Sequence, residues 1–325
     1  MYIQTVSGPV GSDELGAVLM HEHVETVALP GFHSGGREDA DDLTRRALAG
    51  LPDRGFRTLV DLTGRTRVAG GHDYTTLQRI ASSLPLHVVV GFSYYKDPWL
   101  ETSGDGNLDR LTSVYIDQAG GAGGVPVGIY GEVGTSLDEI TPGEKLHLRA
   151  AARAHLDTGL AVSTHCTLGT MALEQVAILE AEGADLGRVV IGHLDLKPDV
   201  AYLDKVLATG VNIGFDTFGK EWFDYRVPDS ENAGQGAFVK WAYHRPDEDR
   251  FTALAELCRR GHDGRIVLSC DMSGAEAWLN PTTHGRHGYS YLPDVVLPRL
   301  RQLGVTETSL RRMTIDNPAR ILAVP

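Results

Sequence analysis

The chain has 325 residues, 42% hydrophobic and 22% charged, enough apolar side chain to bury a large core and unlike disordered or fibrous proteins. Its 30 Lys and Arg against 43 Asp and Glu give a net charge of −13, the wrong sign for a nucleic-acid or anionic-membrane binder. Three cysteines are too few for a disulfide scaffold. The first residues carry no basic and apolar signal pattern, and the longest apolar run, Leu84 to Phe92, is too short for a bilayer. A cytoplasmic protein is expected, with a small-molecule substrate and neither nucleic acid nor membrane as partner.

Short β-branched-rich runs predict strands at Ala17–Met20, Thr58–Leu62, His87–Gly91, Val127–Tyr130, Ala161–Thr164, Val189–Gly192, Val211–Phe215 and Ile266–Ser269. Most are continuously apolar, as suits parallel strands covered on both faces. Arg37 to Asp42 reads as a solvated helix start with acids at its positive end. An alanine-rich helix is expected from Gly143 to Asp157, stopped by Gly159, and another carries Leu173, Val176, Ile178 and Leu179 and stops at Gly183. A third runs from Phe251 to Arg260, and Asp316-Asn317-Pro318 announces a last one with a capping side chain followed by proline.

Eight strand-plus-helix units in series predict a (β/α)8 TIM barrel, α/β in class, and the absence of any linker makes residues 1–325 one domain. The connections over 216–249 and 271–292 are too long for plain turns. They follow the seventh and eighth strands, at the end where such barrels build substrate sites.

Five of the eight strands end in a residue able to bind a metal: His21-Glu22-His23, Glu132, His165, His193 and Asp271. Residues at i and i+2 share a strand face, so His21 and His23 point inward together and Glu22 points away. Any one such histidine is more often a satisfied core group, and Asp271 alone could cap a helix. Together, four imidazoles and two carboxylates on one rim form a mixed N/O set, too many for one tetrahedral zinc but suited to two ions sharing a bridging carboxylate and hydroxide.

The segments Leu19-Met20-His21-Glu22-His23-Val24, Gly131-Glu132-Val133-Gly134-Thr135, Ser163-Thr164-His165, Ile191-Gly192-His193-Leu194-Asp195 and Leu268-Ser269-Cys270-Asp271 resemble the phosphotriesterase family of the amidohydrolase superfamily. Ala150, Ala151, Arg153, Ala154, Glu174-Gln175 and Asp316-Asn317-Pro318 fit as well. The resemblance implies a distorted barrel with two divalent ions, zinc first and manganese, cobalt or iron as alternatives. His21, His23 and Asp271 would hold the more buried ion and His165 and His193 the more exposed one. Glu132 would bridge them, and Asp271 would orient the bridging hydroxide and carry its proton to the leaving group. The founding enzyme has a carboxylated lysine where this chain has Glu132. The sequence therefore looks like the glutamate-bridged phosphotriesterase-homology-protein branch, which shares the family with phosphotriesterase-like lactonases.

Tyr94, Tyr95, Lys220, Arg286 and Tyr289 are the candidate substrate residues, a cationic and phenolic set able to seat a carboxylate or phosphate. Trp222, Phe223, Tyr225, Trp241 and Tyr243 could form a lid or pack the seventh-strand loop. Cys166 and Cys270 alternate away from the site and read as packing thiols. The expected activity is hydrolysis of a lactone or carboxylic ester carrying an anionic group. N-acyl amide hydrolysis, phosphotriesterase activity and a non-catalytic metal-binding barrel are the rivals, and a homodimer is the expected assembly.

Overall fold

In the computed structural model, Tyr2–Thr5 (β1) and Gly8–Gly11 (β2) form an antiparallel hairpin ahead of the barrel, an element the strand pattern did not announce. The structure describes residues 1–24, 44–45, 47–63, 74–97, 100, 106–122, 124–221, 225–226, 241–242, 246–272 and 280–324. The barrel strands begin with Ala17–Glu22 (β3), Phe56–Asp61 (β4), His87–Phe92 (β5), Ile129–Thr135 (β6), Ala161–Cys166 (β7), Val189–Gly192 (β8) and Asn212–Phe215 (β9). A two-residue hairpin of Tyr225–Arg226 (β10) and Trp241–Ala242 (β11) lies in the long seventh connection, and Ile266–Leu268 (β12) is the last barrel strand.

Neighbouring barrel strands pair in parallel from β3 through β9 to β12. The two ends of this nearly closed sheet meet beyond the strands. Asp271 N donates to His21 O at 3.0 Å, His23 N to Met272 O at 2.9 Å, and His21 N to Ser269 Oγ at 2.9 Å. The expected TIM-barrel architecture is the one observed.

Alternate residues sort into two cores. Val18, Met20, Val60, Val89, Ile129, Ala161, Val190 and Val267 fill the barrel, while Leu19, Leu59, Val88, Val90, Val162, Ile191, Ile213 and Leu268 pack outward against the helices. Ile3 and the C-terminal Ile321, Leu322 and Ala323 join the inner cluster, and Tyr2 and Val324 exchange backbone hydrogen bonds at 3.1 and 2.7 Å.

Two strands break this alternation. The β3–β4 register shifts between Leu19 and Glu22, and the β6–β7 register shifts between Tyr130 and Val133. In β6, Ile129 faces the inner core, yet Val133 packs in the outer one. An irregularity of this kind re-aims side chains, and it lets Glu132 and His21 turn into the barrel mouth.

The alanine-rich helix spans Pro142–Thr158. Thr141 and Glu144 form a reciprocal capping box at its start, and Gly159, at φ 72°, donates its N–H to His155 O at 2.8 Å at its end. The expected Asp316 cap is not made. Asp316 has helical angles, φ −72° and ψ −42°, because Glu307–Arg311 runs through a π turn directly into Asn317–Leu322. A cap needs an extended backbone. Asn317 does the anchoring instead, donating to Asp263 O and Ile266 O at 2.8 Å each. The Arg37–Asp42 expectation lies outside the described residues, as do the side chains of Trp222, Phe223, Tyr225, Trp241 and Tyr243. No described helix is long and apolar enough to cross a membrane.

Candidate metal centre

Glu132, buried in β6, lies among four imidazoles. Its Oε2 is 3.0 Å from His165 Nδ1, 3.2 Å from His193 Nε2 and 3.4 Å from His21 Nε2, and its Oε1 is 3.8 Å from His23 Nε2. Asp271 Oδ1 lies 2.7 Å from His23 Nε2 and 3.7 Å from His21 Nε2. The structure thus brings all six predicted donors together at the C-terminal mouth of the barrel.

Two overlapping donor groups emerge, His21 with Glu132 and His193, and His21 with His23 and Asp271, the ligand atoms of each lying within 4.8 Å of one another. Ligands on one tetrahedral ion, at about 2.1 Å from it, sit about 3–3.5 Å apart. His21 Nε2 is buried and makes no hydrogen bond among the described residues, although two carboxylate oxygens face it. A buried ring nitrogen left without a hydrogen bond between two acids marks a place for a cation, and the donor chemistry fits a divalent ion.

Electrostatics agree. Burial alone would lower the imidazoles, but Glu132, Asp216 and Asp271 outweigh it at His21, which is held well above the usual histidine range. At His193 burial is outweighed by Asp216, Glu132 and Asp271, and the ring is pushed up to about 9. Rings that would rather hold a proton mark surplus negative potential, which a metal cation can neutralise in the proton's place. His165 goes the other way, lowered by burial and by its neighbours His193 and Lys96 despite Glu132, so it is a neutral ligand-ready ring.

The backbone supports the same geometry. His193 and Asp271 have φ of 60° and 46°, a left-handed conformation that costs a non-glycine residue of order 1–3 kcal/mol. Each is tied down, His193 by its N–H to Asp216 Oδ1 at 2.9 Å and Asp271 by its N–H to His21 O.

The phosphotriesterase family model matches residues 1–322. The chain belongs to the phosphotriesterase family. A phosphotriesterase homology protein of Mycobacterium tuberculosis is 31% identical over 341 residues, covering 98% of this chain and 97% of the relative. An N-acetyltaurine hydrolase of Dictyostelium discoideum is 27% identical over 383 residues, covering 99% and 98%. A solved structure described as organophosphate hydrolysis engineered from a weak promiscuous lactonase template superposes with a TM-score of 0.82 at 26% identity, covering 99% of this chain and all of the other. Family and relatives are hydrolases, and this chain is a hydrolase of the same family.

Of the substrate candidates in this family member, two reach the donor cluster. Tyr95 Oη is 3.2 Å from His165 Nε2, and the Lys220 ammonium, 6% exposed, donates to Asp271 Oδ2. Burial would raise the Asp271 carboxyl, but Lys220 and His23 hold it well below the usual range. Arg286 is exposed on the short helix His284–His287. Tyr94 and Tyr289 lie elsewhere than expected. Tyr94 is buried edge-on against Phe92 and His147, at 5.3 and 5.2 Å between centroids, an apolar setting that holds its ring in the outer layer. Tyr289 is buried beneath His23 and donates to its carbonyl at 2.8 Å, fixing backbone rather than facing the mouth. Cys166 and Cys270 are buried, and burial pushes both thiols well up.

Sequence reasoning missed the residues that hold the donors. Asp216 faces His21 Nδ1 at 3.2 Å and His193 Nδ1 at 3.0 Å. It follows β9 directly, so the strand-end rule that selected the other donors also reaches it. Gly214 makes room, since a Cβ there would stand 2.3 Å from Asp216 Oδ2. Glu22, turned away from the mouth as expected, accepts from Ser269 Oγ, Cys270 N and Met272 N at 2.7, 3.0 and 2.8 Å and so staples β3 to the end of β12. Behind Lys220, the fully buried Arg250 donates to Asp247 Oδ1 at 2.7 Å and to Lys220 O at 3.3 Å, and lies 3.3 Å from Asp195. Gly219, at φ +88°, lets the chain pass His284, whose Nε2 would lie 2.4 Å from a Cβ.

Proposed function

We propose that this protein is a binuclear metal hydrolase that cleaves a lactone or carboxylic ester bearing an anionic group. One observation carries the reading: His21 Nε2, with no hydrogen bond among the described residues, faces Glu132 and Asp271 at the point where the two donor groups overlap. His21, His23 and Asp271 would hold one ion, His165 and His193 the other, with Glu132 between, and zinc is the first candidate. Two such cations, when bound, supply an acidified water and Lewis-acid polarisation of the acyl carbonyl.

The chain's own groups do the rest. Asp216 takes the Nδ1–H of His21 and of His193, which leaves each Nε2 lone pair directed at Glu132. Thr63 Oγ1 does the same for His23 from 3.2 Å. Asp271 is held as a carboxylate by Lys220 and His23, so it accepts the proton released by the attacking water and returns it to the departing alkoxide. Lys220 is engaged by Asp271, so Tyr95, whose hydroxyl stands beside His165, and the exposed Arg286 further out are left to favour substrates carrying negative charge.

A second reading, an N-acyl amide hydrolase, is favoured by the N-acetyltaurine hydrolase that matches nearly the whole chain. The same residues would serve, with Asp271 protonating an amine. Side-by-side turnover of a lactone, an N-acetyl amino acid and an aryl phosphotriester by zinc- and manganese-loaded enzyme decides. An amide preference beyond about a hundredfold in kcat/KM overturns the ester assignment, and inertness toward all three, with no bound metal, leaves a binding barrel.

A further inference from the structure

We propose that Arg250 is a positioning residue for the reaction: its guanidinium locks the turn 217–220 after β9 so that the Lys220 ammonium stays on Asp271. The inference rests on the hydrolase reading above. Arg250 is wholly buried on the helix Asp247–Arg259, between two buried carboxylates, Asp195 and Asp247. Desolvating such a set costs free energy that apolar packing of the same volume avoids, so its use lies in the geometry it imposes more than in stability.

The partners show which geometry is held. Arg250 Nε lies 3.3 Å from Asp195 Oδ2, the oxygen that accepts both the N–H and the hydroxyl of Thr217 at 2.9 Å each. Nη1 donates to Asp247 Oδ1 at 2.7 Å, and the other oxygen of that carboxylate accepts the Gly219 N–H at 2.9 Å. Nη2 donates to Lys220 O at 3.3 Å. One planar fork thus reaches residues 217 and 219 through carboxylates and residue 220 directly. Phe218, between them, stacks on Phe251, the neighbour of Arg250, with centroids 5.4 Å apart. On the opposite edge of the turn Thr283 Oγ1 donates to Gly219 O at 2.6 Å, and His284 Nε2 meets Phe218 O at 2.7 Å. Every residue of the turn is therefore fixed, and its last side chain donates to Asp271 Oδ2. A lysine at position 250 keeps a cation between the two carboxylates but offers a point charge on a flexible stem, which cannot hold all three partners at once. Lys220 would then drift from Asp271, the group that carries the proton, while the donors that face Glu132 keep their own supports.

The test compares wild type, Arg250→Lys, Lys220→Met and the double variant, metal-loaded, on the best of the three substrates named above. A second readout needs no turnover: the rate at which acetic anhydride acetylates Lys220, 6% exposed, is followed by mass spectrometry against the exposed Lys197. Arg250→Lys is expected to lower kcat by about 10–100-fold with KM within about twofold and metal content unchanged. Lys220 acetylation should quicken by about tenfold or more while Lys197 keeps its rate. In the Lys220→Met background the same substitution should cost less than about a further twofold in kcat, because the contact it supports is already gone. Equal kcat losses in both backgrounds, metal lost in step with kcat, or Lys220 acetylated as slowly as in wild type overturns the proposal. Should Arg250→Lys fail to fold, Asp247→Asn, which leaves Arg250 paired with Asp195, takes its place with the same expected and overturning results. If the wild type turns over none of the three substrates, the hydrolase reading falls, and the acetylation rates alone then judge the lock.

Discussion

Asp216 holds His193 twice through one oxygen, Oδ1, which accepts the backbone N–H at 2.9 Å and faces the ring Nδ1 at 3.0 Å. The first contact stabilises a left-handed residue and the second sets its tautomer, so backbone and ligand geometry depend on the same carboxylate. Burial would raise that carboxyl, but His193 and His21 outweigh it and keep it ionised.

Asp216→Asn is expected to lower metal affinity or activity by about 10–100-fold, the usual cost of removing an orienting carboxylate behind a metal-bound histidine. Metal content after dialysis against a graded chelator series measures it. Retention equal to wild type would show that the imidazoles are oriented by something else.

Glu132→Gln keeps the shape of the central side chain and removes its charge. Metal content is expected to drop and turnover to fall by more than about 100-fold, while the circular dichroism spectrum of the barrel is unchanged. A fully active variant would reject Glu132 as the shared ligand.

His147 predicts an acid sensitivity unrelated to the metal centre. It is buried beneath Tyr115, whose hydroxyl meets its Nδ1 at 3.2 Å. Burial, only partly opposed by Asp97, lowers its pKa to about 4. An unfolded histidine titrates near 6.5, so between that value and about 4 the unfolded state binds the proton and the folded state does not. Stability therefore falls as pH drops through this window, by about 3 kcal/mol at its lower end. Denaturant midpoints of wild type and His147→Phe, compared at pH 7 and 4.5, should converge in acid. Parallel midpoints would mean that His147 does not titrate on unfolding.

Arg286 is exposed, so its charge acts through screened solvent. Arg286→Ala is expected to raise KM for anionic substrates by about two- to fivefold at low salt, with the difference fading near 0.5 M salt. An equal change for neutral esters would remove Arg286 from charge recognition.

Much of this was legible in the sequence because it is local. Eight apolar runs separated by helical patterns define a barrel, and residues at the ends of parallel strands share its mouth, which is how His21, His23, Glu132, His165, His193 and Asp271 could be chosen before any coordinates. Cys166 and Cys270 followed from plain alternation, which puts them in the outer core with Val162 and Leu268 while Ala161 and Val267 face the inner one, and Tyr95 and Lys220 followed from loop position. Tyr94 was not separable from Tyr95 on that basis. Adjacent positions in a loop carry no periodicity, and only the aromatic layer around His147 shows which ring turned inward. The Asp316 cap failed for a related reason, since whether the preceding backbone is extended or helical depends on the helix before it.

What the amino-acid order determined by itself is the repeat, the donor types and the end of the barrel they occupy, because strand period and strand order are properties of short stretches of chain. What only the tertiary structure decided is the aim of each donor. Register slips in β3 and β6 accompany the turning of His21 and Glu132 inward, Asp216 orients two rings at once, and His21 is fixed through its N–H by Ser269, 248 residues away. Such contacts form between segments that become neighbours only when the sheet closes, so no local pattern encodes them.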